Sequence, residues 1–475
     1  MNNFYDDIGI FGDRTAIITE SREKITYSML VSESDRIVAD VESRRIAFII
    51  CDNTLEAITG YIACLRKRIV PILINYEVSK DLIVNLYEKY QPYYVYGDTQ
   101  LLERLFDLSQ FIKISQFRKY HFYKTDVKME YKIHDELALL LTTSGSTGSP
   151  KLVRQSYKNI VSNTNAVVQY LNITEDDRAI MTLPMSYTYG LSIINSHLLQ
   201  GACIIMNDFT LMNREFWQLL KDEEATTFGG VPYIYEILKK LRFERMDLPS
   251  LHYITQAGGK LSKELAQEFC AICKQKEIKL IVMYGQTEAT ARMSYLPWEK
   301  AEEKAGSMGI AIPGGAFELR DDNGNVIEAE DMVGELIYKG DNVTLGYAES
   351  YFDLNKGDER NGILFTGDMA KVDKDGFFYI VGRKKRFLKI FGNRVNLDEI
   401  EGLLKKEGYE CICSGKDDEM KLYIVENNSE NDIDNRIRNF IIGITHLPRS
   451  AFKILKISQI PRNEAGKILY SKLPD

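Results

Sequence analysis

The chain has 475 residues, more than one hydrophobic core usually organises, so two or more domains are expected. Hydrophobic residues make up 45% and charged residues 27%, the balance of an ordinary soluble protein, which excludes disordered and fibrous classes. A formal net charge of -8 argues against nucleic acid as the main partner, because phosphate binding relies on clustered Lys and Arg.

The first residues, MNNFYDDIGIFGDRT, are acidic where an export signal carries a basic region and an apolar run. No apolar run approaches the roughly 20 residues that span a bilayer. A cytoplasmic protein without integral membrane association is therefore expected. The 7 cysteines include one CxxC, Cys270 and Cys273, with no second such element or nearby His, so they read as structural rather than zinc-binding.

Short β-rich runs at 47–50, 70–74, 93–96, 179–183, 202–206 and 280–283 alternate with longer helical periodicities. The alternation predicts an α/β fold with largely parallel sheets. The stretch 261–276 predicts a helix with Leu261, Leu265, Phe269 and Ile272 on one face and Ser262 as its cap. From about Gly306 the texture becomes Gly-rich and turn-punctuated, with hairpin signals in DNGN and DKDG, so a β subdomain is expected over about 306–382. A basic stretch follows, then a mixed segment. The predicted division is a large N-terminal domain over 1–382 and a small α+β domain over 383–475.

Chemistry concentrates first at 143–151, TSGSTGSPK, which follows the apolar run 137–141. Gly145 and Gly148 let backbone N–H groups turn toward an anion; Thr143, Ser144, Ser146 and Thr147 add hydroxyl donors; Lys151 adds charge. A triphosphate fits such a loop, and a plain Ser/Gly surface loop has the same composition. The spacing differs from the P-loop GxxxxGK[ST], because Pro150 precedes Lys151 and no Ser or Thr follows.

TSGSTGSPK resembles the phosphate loop of the adenylate-forming superfamily, which holds acyl-CoA synthetases, peptide-synthetase adenylation domains and luciferases. Further motifs of that family recur in its order. Residues 284–288, YGQTE, are similar to its YGxTE; the resemblance implies that Tyr284 stacks on adenine beside Gly285, that Thr287 contacts phosphate, and that Glu288 is the magnesium ligand. Gly258 and Gly259 resemble the segment along the adenine edge. Residues 366–368, TGD, place Asp368 on the ribose hydroxyls, although Leu364 and Phe365 replace the usual Tyr and Arg. The stretch 382–401, GRKKRFLKIFGNRVNLDEIE, resembles GRxDxxxKxxGxRxxxxEIE, with Arg383 at the nucleotide, Lys385 at the hinge, and Lys389, Gly392 and Arg394 in the loop used for thioester formation. Residues 461–469, PRNEAGKIL, place Lys467 on the catalytic lysine, with Asn463 and Tyr470 as departures.

The resemblance spans nearly the whole chain and implies no fused carrier domain. It implies an AMP-forming ligase that uses ATP and Mg²⁺ to convert a carboxylic acid to an acyl-adenylate, then passes the acyl group to a phosphopantetheine thiol of CoA or a carrier protein. Tyr187, Tyr189 and Gly190 align with the acyl-CoA synthetase pattern, Tyr187 at a position that is His in many members. Val231 and Pro232 resemble the start of the acyl-pocket helix. No Asp lies within 181–196 to hold an ammonium group, which favours a non-amino acid. Two alternatives stay open: an enzyme that loads a carrier protein, and a nucleotide-binding regulator with impaired turnover. A nucleic-acid binder acting through GRKKR conflicts with the net charge.

Overall fold

The computed structural model describes residues 3–142, 151–390, 393–416, 418–425, 433–445, 448–462 and 468–474, with backbone alone at 389, 393, 394, 433, 444, 445 and 471. The chain divides into two compact units, Met1–Phe317 with Ile337–Leu364, and Glu318–Leu336 with Phe365–Asp475.

Two large sheets form the first unit. In the nine-stranded sheet, six strands run parallel: Lys279–Tyr284, Tyr253–Gln256, Thr227–Gly230, Arg178–Ile180, Cys203–Ile205 and Thr15–Ile18. Short antiparallel strands extend both edges. In the eight-stranded sheet the parallel centre is Leu137–Thr142, Val70–Asn75, Ile46–Cys51 and Tyr94–Asp98, again with antiparallel flanks. All six β-rich runs of the sequence are strands. Their apolar residues are buried on both faces, as a parallel sheet covered by helices requires.

Helices Leu55–Arg66 and Thr188–Leu199 belong to the core that joins the two sheets. Every residue from 189 to 199 is buried, so this helix has no polar face. The predicted helix at 261–276 is Lys263–Gln275, and the Ser262 hydroxyl accepts from Leu265 N–H as its cap. Its buried stripe is Ala266, Phe269, Cys270 and Cys273 rather than the Leu265 and Ile272 stripe, which is only half-buried. The cysteines act as small apolar side chains that let the helix sit close to its sheet.

The Gly-rich region folds as a four-stranded sheet in the order Gly315–Arg320, Gly334–Gly340, Ile363–Val372 and Phe378–Arg383. DNGN and DKDG both turn the chain between antiparallel partners. In the C-terminal part, Cys411–Lys416, Glu419–Val425 and Phe452–Ile457 form a mixed three-stranded sheet, and helices Leu397–Lys406 and Ile433–Thr445 share its core. The fold is α/β, with a large N-terminal domain and a smaller α+β C-terminal one.

Candidate nucleotide and acyl site

Three neighbouring parallel strands run in register to their carboxyl ends, where Gly230 pairs with Gln256 and Gln256 with Val282, two residues before the third strand ends at Tyr284. Ligands of open α/β sheets collect beyond such carboxyl ends. The residues that follow here are Val231 and Pro232, the Gly258 and Gly259 turn, and YGQTE. Val231 caps helix Pro232–Lys240, with Pro232 in the first turn, where its missing N–H costs nothing.

These predicted residues are brought together. Gly258 has φ +81°, and a Cβ there would lie 2.5 Å from the Tyr187 hydroxyl and 3.0 Å from Val231 Cγ1; one at Gly259 would lie 3.1 Å from Pro232 Cγ. Gln256, fully buried, donates to the carbonyls of Ala257 at 3.3 Å and Gly259 at 2.9 Å and fixes the turn. Tyr187 and Tyr189 stand edge to face with ring centres 6.3 Å apart, and the Tyr189 hydroxyl bonds Thr255 Oγ1 at 2.8 Å. Burial pushes the Tyr187 hydroxyl up to about 12, so it is a neutral group in this wall. A side chain at Gly190 would collide with the Pro184 carbonyl oxygen.

Tyr284 ends the strand Lys279–Tyr284 half-buried, and Gln286 donates to its hydroxyl at 3.1 Å. The chain then doubles back so tightly that a Cβ at Gly285 would overlap the Ala291 carbonyl oxygen. The tight return places Thr287 and Glu288 in a 3-10 turn, Thr287–Ala289, with Thr287 buried. The Glu288 carbonyl accepts from Thr344 N at 3.0 Å, Thr344 Oγ1 at 3.0 Å and Arg360 Nη1 at 3.1 Å. Its carboxylate Oε1 accepts from the Tyr347 hydroxyl at 2.7 Å. Burial first, and the Glu288 charge second, push Tyr347 up to about 12, so it remains the donor.

Lys151 begins where the predicted phosphate loop ends, and its Nζ lies 3.8 Å from the Tyr347 ring centre; the Arg360 guanidinium lies 4.7 Å from it. Tyr347 therefore links Lys151 to Glu288. The link is topological as well, because strand Gly346–Ala348 pairs antiparallel with Leu152–Ser156. Tyr347, Thr344 and Arg360 went unread in the sequence. Nothing local marks them, since their partners lie about 60 and 200 positions away in the chain and meet only through strand pairing.

Within the second unit, Asp368 and Arg383 are cross-strand partners, and Arg383 Nε lies 3.3 Å from Asp368 Oδ1. Asp368 is 4% exposed. Thr366 Oγ1 donates to the Leu336 carbonyl and accepts from Asp368 N, which fixes the TGD corner. Phe365 is exposed, with the Arg320 guanidinium 5.8 Å from its ring centre. Lys384 pairs with Glu335 at 2.7 Å, and Arg386 pairs with Asp398 at 2.8 Å and with Glu401. Lys385, between these two anchored residues, is exposed and makes no hydrogen bond or ion pair among the described residues. Lys389 and Arg394 are register partners in the strand pair Phe387–Ile390 and Asn393–Asn396. Thr143, Ser144, Gly145, Ser146, Thr147, Gly148, Gly392 and Lys467, with the side chains of Lys389 and Arg394, lie outside the described residues.

Among the described residues no group of three His, Cys, Asp or Glu side chains could hold a metal alone. Glu288 offers one hard-oxygen ligand, and no described donor occupies its Oε2. A single carboxylate fits Mg²⁺, which keeps several waters and takes its other ligands from substrate phosphates.

The crevice at the strand ends thus brings together two close-packed glycines, a carboxylate oriented by the Tyr347 hydroxyl and an adjoining aromatic wall. The sequence profile of the AMP-binding enzyme family matches residues 5–348, and the chain belongs to that family. It is an AMP-forming ligase that makes an acyl-adenylate and passes the acyl group to a thiol. It is 24% identical to the 2-succinylbenzoate–CoA ligase of Bacillus subtilis over 98% of this chain and 95% of that protein. It is 28% identical to the medium-chain fatty-acid–CoA ligase of Escherichia coli over 57% of this chain and 47% of that protein. The solved O-succinylbenzoate coenzyme A synthetase of Bacillus subtilis, in complex with ATP and magnesium ion, superposes with a TM-score of 0.80 at 22% identity, covering 100% of both chains. No helix among the described residues is long and apolar enough to cross a membrane.

Proposed function

We propose that this chain joins a non-amino carboxylic acid to coenzyme A. The observation that carries the reading is the shared wall: the Gly258 and Gly259 turn, assigned by resemblance to the adenine edge, touches Tyr187, Val231 and Pro232, assigned to the acyl pocket. An acid and a nucleotide bound on either side of it are neighbours, as adenylate formation demands.

In the first half-reaction a carboxylate oxygen attacks the α-phosphorus of ATP and pyrophosphate leaves. Two anions must meet, so the site supplies positive charge and dipoles. Lys467 would neutralise charge between the carboxylate and the α-phosphate, and the donors at 143–151 would hold the departing pyrophosphate. Glu288 would carry Mg²⁺ on the phosphates, and the ion supplies charge neutralisation there. Tyr347 orients that carboxylate, and Asp368 would accept the ribose hydroxyls. In the second half-reaction the thiol sulfur attacks the acyl carbon and AMP leaves. A C-terminal domain over 383–475 would turn about Lys385 and exchange Lys467 for the Lys389 to Arg394 loop. The cytoplasm, which supplies ATP and CoA, is the proposed compartment.

Coenzyme A is favoured as acceptor because the matched relatives are named as CoA ligases. The substrates in those names, succinylbenzoate and medium-chain fatty acids, keep both aryl and aliphatic acids in view. Mass spectrometry of products formed with ATP, acid and CoA alone tests this, and an acyl-CoA is expected. Thioester formed solely on a carrier protein would overturn the choice of acceptor.

A further inference from the structure

Two arginines of the first unit are almost completely buried, and they are satisfied in opposite ways. Arg154, 0% exposed, pairs with Glu359 at 2.5 Å and donates to the carbonyls of Leu345, Tyr347, Lys356 and Gly357. It is a complete structural clamp. Arg292, 1% exposed, has no carboxylate partner among the described residues. Its Nε donates to Ser192 Oγ at 3.0 Å, its Nη1 faces the Tyr170 hydroxyl at 3.4 Å and Met283 Sδ, and its Nη2 has no hydrogen-bond partner among the described residues. A guanidinium is never neutral in a protein, so a buried one without a counter-charge is a standing cost to the fold.

The charge lies against the acyl wall. The Arg292 guanidinium is 4.2 Å from the centre of the Tyr189 ring. It also lines a cavity of about 10 Å³ whose other walls include Gly229, Thr255, Tyr253 and His197. Such a space admits one oxygen-sized group. His197 adds no competing cation there, since burial holds its imidazole below the ordinary histidine range.

We infer that Arg292 reads the far end of the acyl group, and that the acid activated here carries a second carboxylate, one oxygen of which takes the open Nη2 position. This rests on the acyl-pocket reading of Tyr187 and Tyr189. A site built to pair a buried donor rejects the analogue that lacks the acceptor, because the donor is then left unpaired. A water held in the cavity is the competing occupant, and it predicts indifference to the second carboxylate.

The test measures kcat/KM in ATP–pyrophosphate exchange for matched acids with and without the distal carboxylate: adipate against hexanoate, and 3-(2-carboxyphenyl)propionate against 3-phenylpropionate. Wild type should favour the dicarboxylate in at least one pair by about tenfold or more. Arg292→Met should abolish or reverse that preference, read as the ratio of the two rates within each pair, and Arg292→Lys, which keeps the charge without the fork, should fall between. Equal rates within both pairs for wild type would overturn the inference whether or not the variants fold, as would an unchanged ratio in a folded Arg292→Met. Should no acid support exchange, the ligase reading itself fails. The anion site is then decided by melting temperature: a rise with the dicarboxylates that is lost in Arg292→Met supports it, and no rise overturns it.

Discussion

Glu288 is anchored at both ends, its carbonyl by Thr344 and Arg360 and its carboxylate by Tyr347. Glu288→Gln should lower adenylation about 10²-fold to 10³-fold, the usual loss when one preorganised electrostatic element is removed. Tyr347→Phe keeps the ring against Lys151 and removes only the hydrogen bond. It should raise the Mg²⁺ needed for half-maximal exchange by about 10-fold to 100-fold, the usual effect of losing a group that orients a metal ligand. A Mg²⁺ titration of the exchange rate checks both. His197 gives a pH prediction. Burial lowers its folded pKa, so well above the ordinary histidine range both folded and unfolded states are uncharged and the residue contributes nothing to pH dependence. As pH falls through the unfolded value of about 6.5, the unfolded chain binds a proton that the folded chain refuses, and stability drops. Melting temperature should therefore fall between about pH 7.5 and about pH 5.5, and His197→Asn should make the fall shallower.

At the scale of elements, the parallel strands were the most legible part, because strands buried on both faces read as continuous apolar runs. Helix 188–199 was invisible for the same reason: buried all round, it offers no polar face to set a period. The strands Ser294–Tyr295 and Ile310–Ala311, the last two at one side of the nine-stranded sheet, are two residues each, too short to alternate. The glycines of the motifs were read for their approach to ligand, and the fold gives some of them a further reason. Gly285 cannot bear a side chain because the chain returns across it at Ala291. Gly285→Ala should destabilise the protein by about 3 kcal/mol or more, at the top of the usual range for overpacking, since the obstacle is backbone that cannot rotate away. Urea unfolding measures this. Gly314→Ala has open space around it and should cost less, through its φ of +81° alone.

At the scale of the molecule, the order of the motifs along the chain carried the family, while much of the site's support was hidden from the sequence. Tyr347 and Arg360 meet Glu288 from 59 and 72 positions away in the chain, and no local pattern separates them from any other Tyr or Arg. Lys385 lies between residues anchored on either side, Lys384 on Glu335 and Arg386 on Asp398. If the proposed hinge is there, Lys385→Pro spares pyrophosphate exchange and abolishes thioester formation, and loss of both together would argue against it. Lys467→Ala should suppress adenylation by about 10²-fold or more with folding intact. The most direct measurement of the central claim is exchange of labelled pyrophosphate into ATP by wild type, with Mg²⁺, across aliphatic, aryl, dicarboxylic and amino acids, and with no thiol present. The predicted result is incorporation that depends on adding a non-amino acid and is lost in Glu288→Gln; no acid-dependent incorporation anywhere in the panel would contradict it.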